Sequence, residues 1–155
     1  MRRDDFVGMA VVRCLKAYSL PRVRLIEAGE VPESYLGVVE ESHPSHVLMI
    51  DVAEIGQQPG TVRLVSPKEI EGLSLSTHTL PLTVMSEYIE CRTGAKIALF
   101  AIQPRILEFG EGLSEELSKM VDQLAKVIVN AVRLSRIKNA RRPRQLKPVQ
   151  KRLAR

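Results

Sequence analysis

Two stretches of the chain are almost unbroken in apolar residues: 47–50 (VLMI) and 97–102 (IALFAI). Runs of that length suit strands covered on both faces. They predict strands over 46–53 and 96–103. Residues 60–66 (GTVRLVS) alternate apolar and polar positions and follow QQPG, a turn signal, which predicts an edge strand or one arm of a hairpin. Residues 23–29 (VRLIEAG) read as a fourth strand.

Elsewhere the apolar positions recur with helical spacing. Residues 6–18 follow Asp4 and Asp5, which favour the amino end of a helix. Residues 81–91 open on Pro81, suited to a first turn. A third helix is predicted from Ser114, a capping residue, with Glu115 and Glu116 in its first turn. Its stripe would be Leu117, Met120, Val121, Leu124, Val127, Ile128 and Ala131. A shorter helix is predicted over 34–42. Helices and buried strands interleave, so the expected class is α/β, with a mostly parallel sheet between helices on both faces.

At 155 residues the chain suits one domain with a substantial core. Tryptophan is absent and aromatics make up 4%, so that core must be aliphatic. The net charge of +5 conceals a split. Residues 1–132 hold 13 Lys/Arg against 18 Asp/Glu, a net of −5; residues 133–155 hold 10 Lys/Arg and no acid. The expected organisation is therefore a domain over 1–132 and a basic, flexible tail over 133–155. The tail lacks the aromatics and fold of a nucleic-acid module, so a nucleic-acid role is not expected.

No apolar run approaches the roughly 20 residues needed to span a bilayer. The charged opening MRRDDF lacks the apolar region of a secretory signal. Cys14 and Cys91 form neither a disulfide framework nor a zinc pattern, and are expected as small buried residues in a reducing cytoplasm. A nucleophile elbow, a zinc helix and a phosphate-binding glycine loop are all missing from the sequence.

In an open α/β sheet, sites form beyond the carboxyl ends of the strands. Asp51 closes the VLMI run, Asp5 precedes the first helix, and His78 lies in the loop before the 81–91 helix. All three could line one rim, and two carboxylates with an imidazole suit a divalent transition metal. Separately, each has an ordinary employment: Asp5 as a helix cap, Asp51 as a turn residue, His78 as a loop histidine. His43 and His46, in EESHPSH, read as a turn at the amino end of a strand, away from that rim.

RRDDFVG, LIEAGEVPESYLG, HVLMIDVAEIGQQPGTVRLV, STHTLPL and FAIQPRILEFGEGLSEEL occur in this order. Over roughly residues 2–130 this series resembles the hydrogenase maturation endopeptidases, most of all the branch serving nickel–iron hydrogenases. The resemblance implies a three-layer α/β/α sandwich. It implies an endopeptidase that removes a C-terminal extension from the nickel-loaded large-subunit precursor. It also implies that Asp5, Asp51 and His78 recognise nickel carried by the substrate, with no tightly bound cofactor of the enzyme's own. The catalytic residue is left unknown, since no serine or cysteine nucleophile stands in the matching positions. A monomer in the cytoplasm is expected.

The chain departs from the family at its first strand, at Phe6 and in its basic tail, which exceeds the family pattern. The family's short first strand, ending in Gly-Asn ahead of the acidic pair, is absent; it would be central in the sheet, and its loss would leave two strand edges unpaired. The expectation is that Met1 is an internal methionine of a longer frame, the competing one a truncated chain. Phe6 also replaces the glycine that usually follows the acidic pair. Two other functional readings stand beside the peptidase. One is a non-catalytic binder of the precursor acting as a maturation chaperone; the other is a polyanion-binding protein acting through its tail.

Overall fold

The computed structural model describes residues 3–70, 74–75 and 81–140. A 3-10 turn over Asp4–Phe6 runs into α1 (Val7–Leu15). A second such turn, Pro32–Tyr35, leads into α2 (Leu36–Glu41). Then follow β1 (His46–Glu54), β2 (Val62–Val65), α3 (Pro67–Ile70) and β3 (Ser74–Leu75). The chain continues through α4 (Leu82–Thr93), β4 (Lys96–Ile102) and α5 (Glu115–Ala140).

The strand order is β2-β4-β1-β3. β1 and β4, the two apolar runs, pair in parallel from His46↔Lys96 to Val52↔Ile102. β2 lies antiparallel on the far side of β4, and β3 pairs antiparallel with β1 at Ala53↔Leu75 and Glu54↔Ser74. Side chains alternate across the sheet. Ile50, Val52, Phe100 and Ile102 face a layer in which Val7, Val11 and Leu15 of α1 meet Leu117, Leu124 and Ile128 of α5. Met49, Ala53, Leu99 and Ala101 face α4 through Leu82 and Met85, with Leu36 of α2 alongside. The result is the expected three-layer α/β/α arrangement, but its sheet is mixed rather than mostly parallel: among the described strands only β1 and β4 run parallel.

The packing of α1 on the sheet depends on a missing side chain. A Cβ at Gly8 would lie 2.4 Å from the Ile50 carbonyl oxygen. Only hydrogen allows the helix this close to the backbone of β1. α4 runs two residues past the predicted end at 91 and stops on Gly94 at φ +68°, whose N–H donates to the Glu90 carbonyl at 2.8 Å.

Several expectations need correction. Residues 23–29 form no strand. Among the described residues β1 has no ladder partner over 46–52 on the edge away from β4, and a strand cannot form without a neighbour to bond. The segment is held instead by Glu27, which accepts from Arg13 Nε at 2.7 Å and pairs with Lys16, both on or just beyond α1.

On α5, Val127 is 57% exposed and Ala131 also faces solvent, while Ala125 and Val129 are buried in their place. Cys14 is only half-buried, at the margin of the core layer between α1 and α5, and Cys91 is exposed; both are free thiols. α5 runs unbroken past position 133 to Ala140, so no helix end marks the proposed start of the tail. Residues 141–155 lie outside the described residues, and the tail's expected flexibility with them. Among the described residues, no helix is long and apolar enough to cross a membrane.

Candidate functional site

The parallel strands β1 and β4 end on one side of the sheet, and the chain entering α1 meets them there. Asp4 is fully buried at this edge. Its Oδ2 accepts from the backbone N–H groups of Arg105 and Ile106, each at 2.8 Å, and from Ser114 Oγ at 3.1 Å. Its Oδ1 accepts from the Ser114 N–H at 2.9 Å. Burial alone would raise the Asp4 pKa, but the hydrogen bonds from Ser114, Ile106 and Arg105 outweigh it and hold the carboxyl below its ordinary range. Asp4 is thus a fastener rather than a helix cap. It binds the loop after β4 to the start of α1.

Backbone bonds reinforce the joint. The Arg3 N–H donates to the Glu108 carbonyl at 3.1 Å and the Asp4 N–H to that of Ile106 at 3.2 Å. Ser114 does precede α5, and its carbonyl accepts the Ser118 N–H at 2.9 Å, but its hydroxyl is turned to Asp4.

Asp5 follows directly and is half-buried. The turn that carries it packs against β1. Asp51 is 7% exposed and lies within β1 rather than at its end, since the strand continues to Glu54. Its Oδ1 accepts the Val52 N–H at 2.9 Å. It shares the sheet face of Met49 and Ala53, the face that α4 covers. His78 lies outside the described residues. Among the described residues, no three His, Cys, Asp or Glu side chains are grouped as a metal would require.

Gln103, just beyond β4, organises the other side of this edge. It is 6% exposed. Its Oε1 accepts the N–H groups of Ile55 at 2.9 Å and Gln57 at 3.2 Å, and its Nε2 donates to Glu54 Oε2 at 2.8 Å. Its backbone exchanges further bonds with Gly60 and Thr61, each 2.9 Å. One amide side chain therefore fixes the chain leaving β1. Glu54 is engaged structurally, as a partner of Gln103.

Sequence reasoning missed both Asp4 and Gln103 as organisers. The acidic pair and the FAIQP stretch were the available signals, but neither a buried carboxylate nor a buried amide announces its partners in one dimension. His43 and His46 sit at the opposite end. His46 opens β1 opposite Lys96, its Nδ1 3.0 Å from Ser45 Oγ, and nearby Glu40 is engaged by Arg92 Nε at 3.0 Å. His43 occupies a turn at φ +43°.

A family model for hydrogenase maturation proteases matches residues 9–131. The chain belongs to that family. A Methanocaldococcus jannaschii protein assigned to the hydrogenase maturation proteases is 33% identical over 140 residues, covering 85% of this chain and 82% of its own. The hydrogenase 3 maturation protease of Escherichia coli strain K12 is 27% identical over 123 residues, covering 79% and 78%. Among solved structures, a NiFe hydrogenase maturation protease from Thermococcus kodakarensis KOD1 superposes with a TM-score of 0.76 at 33% identity, over 85% of each chain. A crystal structure of a hydrogenase 3 maturation protease, at 24% identity and a TM-score of 0.72 over 81% of each chain, shares the fold. This maturation protease is a peptidase, and the carboxyl edge of β1 and β4 is its candidate active site.

Proposed function

We propose that this protease removes a C-terminal extension from the nickel-loaded large-subunit precursor of a nickel–iron hydrogenase, and that Asp5, Asp51 and His78 recognise the nickel the substrate carries. The observation that supports the reading best is the seat of α1. Gly8 brings that helix onto the Ile50 carbonyl, one residue before Asp51, and the Asp5 turn abuts the same strand. His78 stands three positions after Leu75, which pairs with Ala53 beside Asp51, and four before α4. Two carboxylates and an imidazole are a donor set suited to a borderline divalent ion such as nickel.

On this reading nickel is a mark on the substrate. The three side chains bind it and so fix the adjacent chain. Water then adds to the carbonyl carbon of the scissile peptide, and its C–N bond breaks to give a carboxylate and a free amine. The metal, or water held on it, polarises that carbonyl. Such positioning accounts for a cut that needs no serine or cysteine nucleophile.

The test is mass spectrometry of the precursor after incubation with the purified chain. Release of one C-terminal peptide from nickel-loaded precursor, and none from nickel-free precursor, is the expected result. Equal cleavage of both would remove nickel from the account. Binding without any release would favour a maturation chaperone.

A further inference from the structure

Three phenylalanines are present in the chain, and two of them pack against other described residues. Phe100 joins the core layer under α1 and α5, and the Phe6 ring lies 4.7 Å beneath the Arg13 guanidinium. Phe109 is different: it is 81% exposed. A single exposed apolar residue is ordinary on a protein surface. What sets this one apart is its mount.

The loop that carries Phe109 is the one Asp4 fastens. Its base is held at Arg105, Ile106 and Ser114 by the buried carboxylate. Its far side is held by the Arg3 N–H on the Glu108 carbonyl, and by Arg3 Nε on the Gly112 carbonyl at 3.3 Å. A fastened loop that keeps an aromatic ring in water forgoes the burial of that ring. The ring is also close to the site. Glu108 is bonded to Arg3, two residues before Asp5, so backbone lengths place Phe109 within roughly 15 Å of Asp5. Both neighbouring acids, Glu108 and Glu111, are exposed.

We propose that Phe109 is an anchor for the folded hydrogenase precursor, inserting into an apolar pocket rimmed by lysine or arginine on the large subunit. This rests on the peptidase reading above and adds a specificity-determining contact to it. An aromatic side chain on a fastened backbone has only two torsions to fix on docking, which is one reason such residues concentrate binding energy at interfaces. The flanking acids select the sign of the rim and steer the encounter.

The experiment is a binding and processing titration of the same organism's nickel-loaded large-subunit precursor against the full chain and two variants, Phe109→Ala and Glu108→Lys/Glu111→Lys. Because Phe109 is exposed, the alanine variant should melt with the parent chain. We expect it to weaken precursor binding at least about tenfold, the scale of an interface anchor, and to raise KM more than it lowers kcat. The double charge reversal should slow association, with the deficit shrinking as salt is added. If the parent chain cuts the precursor and Phe109→Ala matches it in affinity and KM, the anchor is wrong and the peptidase reading stands. If the parent chain binds in a Phe109-dependent way without cutting, the anchor stands and the cutting does not. If the parent chain neither binds nor cuts the precursor, both are wrong.

Discussion

Ser114 gives both its amide and its hydroxyl to the Asp4 carboxylate, at 2.9 and 3.1 Å, across 110 positions of sequence. That joint ties the first turn of the domain to the threshold of its last helix, with Asp5 as the next residue along. Removing the carboxylate strands several buried N–H donors at once. Asp4→Ala should therefore destabilise the protein by about 3 kcal/mol, from desolvated donors left without acceptors. Chemical denaturation would measure it; a change within error would show that water replaces the carboxylate at little cost.

Acid should act on the same joint. The folded pKa of Asp4 lies below its unfolded value of about 3.9. A depressed carboxyl contributes stability that is present above the unfolded pKa and lost as pH falls through the folded one. The Asp4 contribution should thus be full at neutral pH, begin to fade near about pH 4 and be lost only as pH falls through the lower folded pKa. Glu27, Glu40, Glu69 and Glu115 are also lowered, chiefly by hydrogen bonds, from Lys16, Arg92, Ser66 and Lys119 respectively. They lie nearer the surface, where salt screens them and pairs are weak. Denaturation of the parent and of Asp4→Asn across pH 3 to 7 separates the contributions. The difference between the two chains should narrow as pH falls.

Gly8→Ala tests the seat of α1. Alanine would improve helix propensity by up to about 1 kcal/mol. The new methyl would meet a backbone oxygen at 2.4 Å, which neither element can easily yield. Overpacking of this kind costs about 1–3 kcal/mol or more, so the net change should be destabilising. Peptidase activity should fall as well, since Asp5 would be pushed from β1. Unchanged melting with unchanged activity would contradict the close approach.

The two thiols should differ in reactivity. Burial, and then the hydrogen bond and negative charge of Asp122, raise the Cys14 thiol above its ordinary pKa; Cys91 is exposed. Alkylation of the native chain at pH 8 should label Cys91 well before Cys14, as peptide mapping would show. Equal rates would mean that α1 and α5 separate readily in solution.

The apolar runs at 47–50 and 97–102 were legible as the central parallel strands because burial on both faces leaves an unbroken signature. Helix starts were legible where residues suited to a first turn cluster, as Ser114 with Glu115 and Glu116 do ahead of α5, whereas the helix expected to end at 91 runs on to Thr93. Residues 23–29 misled because a β-rich composition states a capacity to pair, and pairing needs a neighbour. Asp5 was placed by its position at a helix start, and the structure sets it in the turn that leads into α1; Asp51 was expected at a strand end, but β1 continues past it to Glu54. Asp4 and Gln103 were not legible, because their importance lies in partners up to 110 positions away. The exposure of Cys91 and Val127 was likewise invisible, since a one-residue rotation around a helix decides it.

The most direct test of the account is the affinity of nickel-loaded large-subunit precursor for the parent chain and for Asp5→Asn, Asp51→Asn and His78→Ala. Each substitution should weaken binding of the loaded precursor by at least about tenfold, as loss of a ligand does. None should alter binding of nickel-free precursor. Undiminished affinity of the loaded precursor for the Asp51 or His78 variant would contradict nickel recognition by these residues.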